Sequence, residues 1–343
     1  QISSLDVSGN TPLTYLDCSS NQISGINVNN NTALTYLDCS SNLLSNALEV
    51  YNNTALITLK CANNQITILG DGMYTLALNI ALTHLDCSSN QISSLDVSGN
   101  TPLTYLDCNY NQLTSLDIHQ NTVLTYLDCG TNYLNSLDLS ANTALTTLDC
   151  STNLLSNTID VSTNTVLTTL DCSDNNLDTL DVSGAFALEN LDCSDNQLKS
   201  LDLRNNNNSN FTYFTSIDNL YLTCISVDDI TWSTNNWTNI DSQTDFSFSC
   251  GPCGPLTGVN LTDIIDDRAT FNWSNMNQGN CSVDQIVIRY RELGTTDWDQ
   301  KYLGSPTLST IHYGMSKRIL GLSASTTYEY QFKIWYMGAS GPI

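Results

Sequence analysis

The sequence has 343 residues, of which 41% are hydrophobic, and this is the composition of a folded chain long enough for two or three domains. It has 10 Lys and Arg against 34 Asp and Glu, a formal net charge of −24, so nucleic acids and anionic membrane surfaces would be repelled, whereas cations, basic proteins or neutral sugars are plausible partners. No apolar run approaches the roughly 20 residues that span a bilayer, so we expect no membrane insertion.

Residues 1–203 are built from an internal repeat. The tripeptide Leu-Asp-Cys recurs every 21 to 26 residues, with Lys60 in place of the Asp in one copy, and an Asn stands three positions after each Cys. The cysteines are Cys18, Cys39, Cys61, Cys87, Cys108, Cys129, Cys150, Cys172 and Cys193, and the asparagines are Asn21, Asn42, Asn64, Asn90, Asn111, Asn132, Asn153, Asn175 and Asn196. A period of this length indicates a solenoid in which each repeat forms one turn.

Each turn resembles the leucine-rich-repeat consensus L-x-x-L-x-L-x-x-N/C-x-L, as in residues 103–113 (LTYLDCNYNQL), with Cys at the third apolar position. Residues 95–100 (LDVSGN) show a second, nested half in which apolar and polar residues alternate. The chain looks like a secreted bacterial leucine-rich-repeat protein of the nested class, of flavobacterial type, and is similar more distantly to the internalins. This resemblance covers residues 1–203 and implies a mainly β solenoid of about nine turns, with short parallel strands on two faces.

The Asn and Cys columns are expected to be structural. A tight turn leaves backbone groups pointing inward, and an Asn side chain can supply both a donor and an acceptor for them, so we predict a structural Asn ladder. A Cys at an inward position behaves as a small buried hydrophobe. Stacked strands would place neighbouring Cβ atoms about 4.8 Å apart, slightly beyond the separation that a disulfide prefers, so we predict free thiols.

The period breaks after Leu203, and we predict that residues 204–252 cap the end of the solenoid, because they supply large apolar residues such as Trp232, Trp237 and Phe246. This segment resembles the C-terminal caps of secreted flavobacterial repeat proteins. Four cysteines lie outside the regular turns, namely Cys224, Cys250, Cys253 and Cys281. Their even number suggests disulfides in an oxidising compartment, and we predict the pairs Cys224–Cys250 and Cys253–Cys281.

From residue 253 the pattern changes to short alternating strands. Trp273 and residues 322–328 (LSASTTY) look like fibronectin type III, whose pattern at the second place is L-x-P-x-T-x-Y; Ala324 stands where Pro is usual. We therefore predict that residues 253–343 form an antiparallel, fibronectin type III-like β-sandwich, incomplete at its C-terminus. The sequence also starts within a repeat, so we expect it to be a piece of a longer precursor.

Patterns typical of catalysis and metal binding are sparse. The chain has three His, and only His84, near Asp86 and Ser88, offers a triad-like set, while the carboxylates repeat with the coil instead of forming one pair. Residues 250–253 match the thioredoxin tetrad Cys-Gly-Pro-Cys, but no helical pattern follows them. We predict no catalytic residues, no enzyme activity and no cofactor, with Ca²⁺ at the acidic columns as the metal to test.

The candidate binding site lies in two outward columns of the first strand of each turn. Mostly Tyr and Thr stand before the second Leu, and mostly Asp after it. Aromatic rings beside carboxylates suit ligand binding, although Tyr also favours strands and Asp favours solubility. Both columns are interrupted at the third and fourth turns, where the spacing lengthens to 26 residues. The predicted ligand-binding residues are Tyr36, Asp38, Lys60, His84, Asp86, Tyr105, Asp107 and Tyr126.

Solenoids offer extended binding surfaces, so we predict an extracellular or bacterial cell-surface recognition or adhesion module that binds a glycan or a protein. Two alternatives stay open at this point. The chain could be a structural section of a surface filament, stalk or matrix protein that self-associates, or a set of accessory modules of a secreted polysaccharide-degrading enzyme. Nucleic acid is not expected as a partner.

Overall fold

The computed structural model describes residues 1–70, 73, 75–247, 250, 259–265, 267–272, 283–303 and 316–336. The chain forms two compact units, Gln1–Phe246 and Ser247–Ile343. Within the described ranges, no helix is long and apolar enough to cross a lipid bilayer. The fold is mainly β, as the repeat pattern predicts.

The first unit is made of short strands and three short helices. Its strands are β1 (Tyr15–Asp17), β2 (Tyr36–Asp38), β3 (Ser45–Leu48), β4 (Thr58–Lys60), β5 (Gln65–Leu69), β6 (His84–Asp86), β7 (Tyr105–Asp107), β8 (Tyr126–Asp128), β9 (Thr147–Asp149), β10 (Ser156–Asp160), β11 (Thr169–Asp171), β12 (Asn176–Asp181), β13 (Asn190–Asp192), β14 (Ser200–Asp202), β15 (Tyr213–Thr215), β16 (Cys224–Ser226) and β17 (Asp245–Ser247). The α-helix α1 spans Ile230–Asn236, and 3-10 helices span Leu76–Leu78 and Asn208–Asn210.

Ten strands form one parallel sheet in the order β1-β2-β4-β6-β7-β8-β9-β11-β13-β15. Neighbouring strands pair without a shift in register, so that Tyr105 lies opposite Tyr126 and Leu106 opposite Leu127. The central residue of each strand points inward, and Leu106 is fully buried. The first and third residues therefore point outward, because side chains alternate along a strand. We call this outward surface of the ten strands the strand face.

The opposite side of the coil carries strands of the nested half-repeats. They form a two-stranded sheet, β3-β5, and a five-stranded sheet, β10-β12-β14-β16-β17. Leu180 lies opposite Leu201 in the parallel pair β12-β14. A continuous core of buried Leu, Ile, Val and Cys side chains lies between the two sides. The predicted solenoid with short parallel strands on two faces is confirmed.

The nine predicted Asn residues link each turn of the coil to the preceding one. The Asn111 side-chain amide donates hydrogen bonds of 3.0 to 3.1 Å to the carbonyl oxygens of Cys87, Cys108 and Asn109. Its Oδ1 accepts the backbone N–H of Ile92, at 2.9 Å, from the preceding turn. Since an unpaired buried backbone group costs about 1 to 3 kcal/mol, each of these side chains stabilises the coil through several bonds at once.

A second amide column, which the sequence analysis missed, lies on the other bend of the coil. Asn121 is fully buried and donates to the carbonyl oxygens of Val97 and Asn100 in the preceding turn, at 3.1 and 2.9 Å. The same arrangement recurs down the coil, and its fully buried members are Asn31, Asn53, Asn79, Asn100, Asn121, Asn142 and Asn164. The sequence signal is an Asn three positions after the inward Val, Ile or Leu of each nested half.

The nine repeat cysteines form a buried column of free thiols, as predicted. Cys129 donates its S–H to the carbonyl oxygen of Asp149, and Cys150 to that of Asp171, with sulfur-to-oxygen distances of 3.4 Å. Burial raises the pKa of Cys18 to about 11 and holds the pKa of Cys108 well above its usual range. The protonated thiol is thus the stable form, and it acts as an inert core group.

The large sheet has one strand more than the nine predicted turns. The tenth strand, β15, lies inside the segment 204–252 that was predicted as a cap, and Phe214 fills the position of the usual central Leu. Asn219 donates to the Cys193 and Ser216 carbonyl oxygens, as the repeat asparagines do. The Leu-x-Cys pattern could not reveal this turn, because Phe214 and Ser216 replace both of its defining residues.

Aromatic residues pack together after the tenth turn. Trp237, which follows α1, is buried, and its ring lies 4.5 Å from that of Phe214 and 5.1 Å from that of Phe211. Phe246 and Trp232 contact the same indole, with ring centroids 5.7 and 5.6 Å away. Asp229 caps the N-terminus of helix α1, and its side chain accepts the Trp232 backbone N–H at 2.9 Å. The cluster belongs to the core of the first unit.

The second unit contains two antiparallel sheets. Its strands are β18 (Asn260–Ile265), β19 (Arg268–Asn272), β20 (Val283–Glu292), β21 (Asp299–Leu303), β22 (Ser316–Leu320) and β23 (Tyr328–Tyr336), and they pair in the orders β18-β19-β22 and β21-β20-β23. The Tyr328 hydroxyl accepts the Ser323 N–H at 2.8 Å, an arrangement like the tyrosine corner of immunoglobulin-like sandwiches. Trp273 lies outside the described residues, so the fibronectin type III assignment stays a prediction.

Two of the four cysteines outside the regular turns are described. Cys224 and Cys250 are both disulfide-bonded. Cys253 and Cys281 lie outside the described residues, so their pairing stays a prediction. At least one disulfide is therefore present in a chain whose repeat thiols are free.

Candidate functional site

The strand face brings the predicted ligand-binding residues together on five adjacent strands. Lys60 lies directly between Asp38 and Asp86 in the acidic column. His84 and Tyr105 are opposite each other, and the latter is opposite Tyr126 in turn. All eight predicted residues occur at outward positions of β2, β4, β6, β7 and β8, namely Tyr36, Asp38, Lys60, His84, Asp86, Tyr105, Asp107 and Tyr126.

The aromatic column is a stack of rings. The ring centroids of His84 and Tyr105 are 4.1 Å apart with 13° between the planes, and those of Tyr105 and Tyr126 are 4.3 Å apart with 4° between the planes. Tyr15 and Tyr36 form a separate pair at 4.4 Å and 7°. The in-register strands hold equivalent side chains parallel at nearly the strand spacing, which produces this stacking.

This stacking covers four of the six ring faces of His84, Tyr105 and Tyr126. Tyr105 has a ring on each side, and His84 and Tyr126 each have one face covered. A sugar that packs flat on an aromatic ring needs an uncovered face, whereas a protein can contact the exposed ring edges and hydroxyls. The column thus presents mainly ring edges and hydroxyl groups to a ligand.

The acidic column is in register along the sheet. Asp107 lies opposite Asp128, which in turn lies opposite Asp149. Most of these carboxylates accept two hydrogen bonds from the Ser two positions later. Asp149, for example, accepts the backbone N–H and the hydroxyl of Ser151, at 2.9 and 2.7 Å. The same pair of bonds occurs at Asp17, Asp86, Asp149, Asp171 and Asp192.

Asp107 and Asp128 lack this hydroxyl, because Asn109 and Gly130 stand at the Ser position. Asp107 accepts one hydrogen bond, at 3.2 Å from the Asn109 backbone N–H. Asp128 accepts the Gly130 backbone N–H at 3.1 Å and the Asn109 side-chain amide at 2.7 Å. Burial, followed by the charge of Asp128, raises the pKa of Asp107 to about 7. Burial and then the charge of Asp149 raise the pKa of Asp128 to about 6.

Lys60 interrupts the row of Asp residues on β4, and His84 interrupts the row of Tyr residues on the neighbouring strand β6. Burial, followed by the positive charge of Lys60, lowers the pKa of His84, so this imidazole is neutral at pH 7. The Ser88 hydroxyl donates to Asp86 at 2.7 Å, as the equivalent Ser does in four other turns, so the triad-like set of His84, Asp86 and Ser88 follows the structural pattern of the repeat. In the part of the chain that is described, no group of three His, Cys, Asp or Glu side chains is arranged to hold a metal ion.

A model of the leucine-rich repeat, in two copies, matches residues 80–121. The first unit is a leucine-rich-repeat solenoid. The functional domain of InlJ from Listeria monocytogenes, which includes a cysteine ladder, is similar to this chain with 28% sequence identity and a TM-score of 0.51, over 80% of this chain and 81% of that one. No curated protein is significantly similar to the chain.

Two plant receptor structures share the fold. The ectodomain of the receptor kinase GASSHO1/SCHENGEN3 from Arabidopsis thaliana, in complex with CASPARIAN STRIP INTEGRITY FACTOR 2, has 22% identity and a TM-score of 0.60 over 72% of this chain and 32% of that one. The Arabidopsis receptor kinase HAESA, in complex with the peptide hormone IDA and the co-receptor SERK1, has 24% identity and a TM-score of 0.51 over 65% and 39%. This chain thus spans less than half of each receptor.

Proposed function

We propose that this chain is a non-enzymatic recognition module, outside the cell or on the bacterial surface, whose strand face binds a protein. The observation that carries the proposal is the register of the ten-stranded sheet, which aligns aromatic and hydroxyl side chains in one column and carboxylates in the other. Function on a shared fold has to be argued from the surface that is presented. The disulfide-bonded Cys224 and Cys250 support an oxidising, extracellular setting.

A protein is favoured over a glycan for two reasons. The stacked rings of His84, Tyr105 and Tyr126 offer edges and hydroxyl groups, which suit peptide contacts. The carboxylates on six consecutive strands, from β6 to β13, favour a partner with Lys or Arg side chains, since opposite potentials guide encounter and fix register. HAESA holds a peptide hormone on the same fold, so a peptide ligand is compatible with this architecture.

Selection of random dodecapeptides displayed on phage, with the full chain immobilised, tests the proposal. We expect enriched peptides with a net positive charge. Their affinities are then measured for the chain and for a strand-face variant in which Asp149→Lys and Asp171→Lys reverse two column charges. A matched control variant, Asp138→Lys and Asp160→Lys, reverses two charges on the opposite side of the coil, where the same Asp-to-Ser backbone bonds occur.

The two variants have the same net charge, so a general electrostatic effect would weaken both equally. The proposal requires at least a tenfold loss of affinity for the strand-face variant and a loss of about twofold or less for the control. Equal losses, or a library that yields no binding peptide, would overturn the proposal. Thermal unfolding of both variants checks that each one is folded.

A further inference from the structure

The edge where the strands of the strand face end carries apolar residues in three consecutive turns. In most turns the residue after the ladder Asn is Gln or Asn, but Tyr133 and Leu154 occupy this position in the sixth and seventh turns. Their side chains are 55% and 51% exposed. Leu43 is the other apolar residue in this column of the nine regular turns, and it lies alone in the second turn with 48% exposed.

Tyr110 places an aromatic ring at the same edge, and its backbone is in a strained conformation. Its φ is +49°, in the left-handed region that bulky residues avoid. The equivalent residue of the other nine turns is Ser, Asn, Thr or Asp, namely Ser20, Ser41, Asn63, Ser89, Thr131, Thr152, Asp174, Asp195 and Asp218. A tyrosine in this conformation is strained, and its side chain is 61% exposed. Such strain in an exposed aromatic residue points to a role beyond folding.

Tyr110 adjoins Asp107 and Asp128, the two carboxylates that have Asn or Gly instead of Ser two positions later. Tyr110 follows Asn109, which donates to Asp128, and the Tyr110 backbone N–H donates to the Gly130 carbonyl oxygen at 3.0 Å. Gly130 packs closely against side chains of the acidic column. A Cβ there would lie 3.0 Å from a carboxylate oxygen of Asp149 and 3.4 Å from one of Asp128. Five departures from the repeat thus coincide in the fifth to seventh turns, namely Asn109, Tyr110, Gly130, Tyr133 and Leu154.

We propose that Tyr110, Tyr133 and Leu154, which we call the apolar edge, anchor the protein partner together with the neighbouring Asp107 and Asp128. The partner places an apolar side chain against the apolar edge and the guanidinium or ammonium group of an Arg or Lys against the two carboxylates. This proposal rests on the proposed function and names the part of the strand face that dominates binding.

Charge and the chemistry of interface hot spots indicate which partner groups bind at the apolar edge and the two carboxylates. Asp86, Asp107, Asp128 and Asp149 are consecutive in the column, and the nearest cationic residue of that column is Lys60, on β4. A cation relieves the repulsion along this row, and Arg matches a pair of carboxylates with its planar donors. Tyrosine is enriched in hot spots because it offers a large contact area at a low entropy cost.

The test uses the dodecapeptides selected on the full chain. Their affinities are measured for the double variant Tyr133→Gln and Leu154→Gln. Both positions then carry Gln, the residue found there in most other turns. Leu43→Gln is the matched control, since it makes the same change in the same column four turns from Tyr133. We expect a loss of about tenfold or more for the double variant and about twofold or less for the control.

A second arm tests the ionic contact by a double-mutant cycle. Each Lys or Arg of a selected peptide is replaced by norleucine, and the loss of affinity is measured for the chain and for Asp107→Asn. We expect one basic residue of the peptide whose replacement lowers the affinity about tenfold for the unaltered chain. The same replacement should lower the affinity for Asp107→Asn by about threefold or less. Tyr110→Asn removes the ring and relieves the backbone, so it should weaken binding while it raises the melting temperature.

The outcomes separate this inference from the proposed function. If the strand-face charge reversals abolish binding but the double variant and Leu43→Gln bind equally well, the apolar edge is not the anchor and this inference is overturned, while the proposed function stands. If Asp107→Asn leaves the cost of every peptide replacement unchanged, the ionic part is overturned. If the strand-face reversals have no effect, both proposals fail together.

Discussion

Asp107 lies directly opposite Asp128 on neighbouring parallel strands, and burial together with that neighbouring charge raises the pKa of Asp107 from 3.8 to about 7. The folded chain therefore holds a proton that the unfolded chain releases near pH 3.8. Between these two pH values the folded state binds more protons, so the free energy of unfolding falls as the pH rises. Asp128, with a pKa raised to about 6, acts in the same direction.

We predict that the chain is more stable at pH 5 than at pH 8, and that Asp107→Asn raises its stability at pH 8 by on the order of 1 kcal/mol. Urea unfolding at the two pH values measures both effects. Asp138→Asn is the control, because hydrogen bonds from Ser140 lower the pKa of Asp138, so its carboxylate stabilises the fold at pH 8. An equal gain from the two substitutions would show that Asp107 carries no burial penalty.

Because the turns stack closely, we predict different effects of alanine substitution at two equivalent glycines. A Cβ on Gly99 would lie 1.9 Å from the Ala77 carbonyl oxygen, whereas a Cβ on Gly9 meets no atom within 4 Å. Gly99→Ala should therefore destabilise the chain by about 1 to 3 kcal/mol, since backbone atoms have to move apart. Gly9→Ala should change stability by about 0.5 kcal/mol or less. Similar urea midpoints for the two variants would contradict this spacing of the turns.

The free thiols of the repeat column are predicted to be inert in the folded chain. Iodoacetamide should label none of the nine repeat cysteines under native conditions, because all are buried and protonated at neutral pH. In denaturant without reductant we expect nine adducts, from the nine free thiols, if Cys224 pairs with Cys250 and Cys253 with Cys281. Intact-mass spectrometry gives the number of adducts under both conditions, and thirteen adducts without reductant would exclude both disulfides.

The repeat pattern was sufficient to predict the coil, the inward Leu and Cys positions and the outward columns, because burial with a fixed period determines all of them. It did not reveal the second amide column, since Asn121 and its equivalents end the nested half-repeats, where a polar residue is usually exposed. The ring stacking of Tyr105 depends on side-chain rotamers, which the sequence does not specify. Tyr110 and Gly130 could have been noticed as departures from their columns, but only the structure showed that they adjoin each other.

Repulsion along the acidic column predicts a response to salt without selectivity for calcium. Raising NaCl from about 10 to about 100 mM should raise the melting temperature of the chain, because the screening length falls from about 30 to about 10 Å. In the described residues no group of three His, Cys, Asp or Glu side chains is arranged to hold a metal ion. At equal ionic strength, Ca²⁺ and Mg²⁺ should therefore give the same melting temperature, and a clearly higher value with Ca²⁺ would reveal a specific site.

The central claim is that the strand face is the recognition surface. Selected dodecapeptides that carry benzoylphenylalanine can be photo-crosslinked to the full chain, and mass spectrometry of the digest gives the attachment sites. We predict attachment to β6, β7, β8 and β9 and to Tyr110, Tyr133 and Leu154 at the adjoining edge. Attachment mainly to the opposite side of the coil, in the column of Asp138 and Asp160, or to residues 247–343, would contradict it.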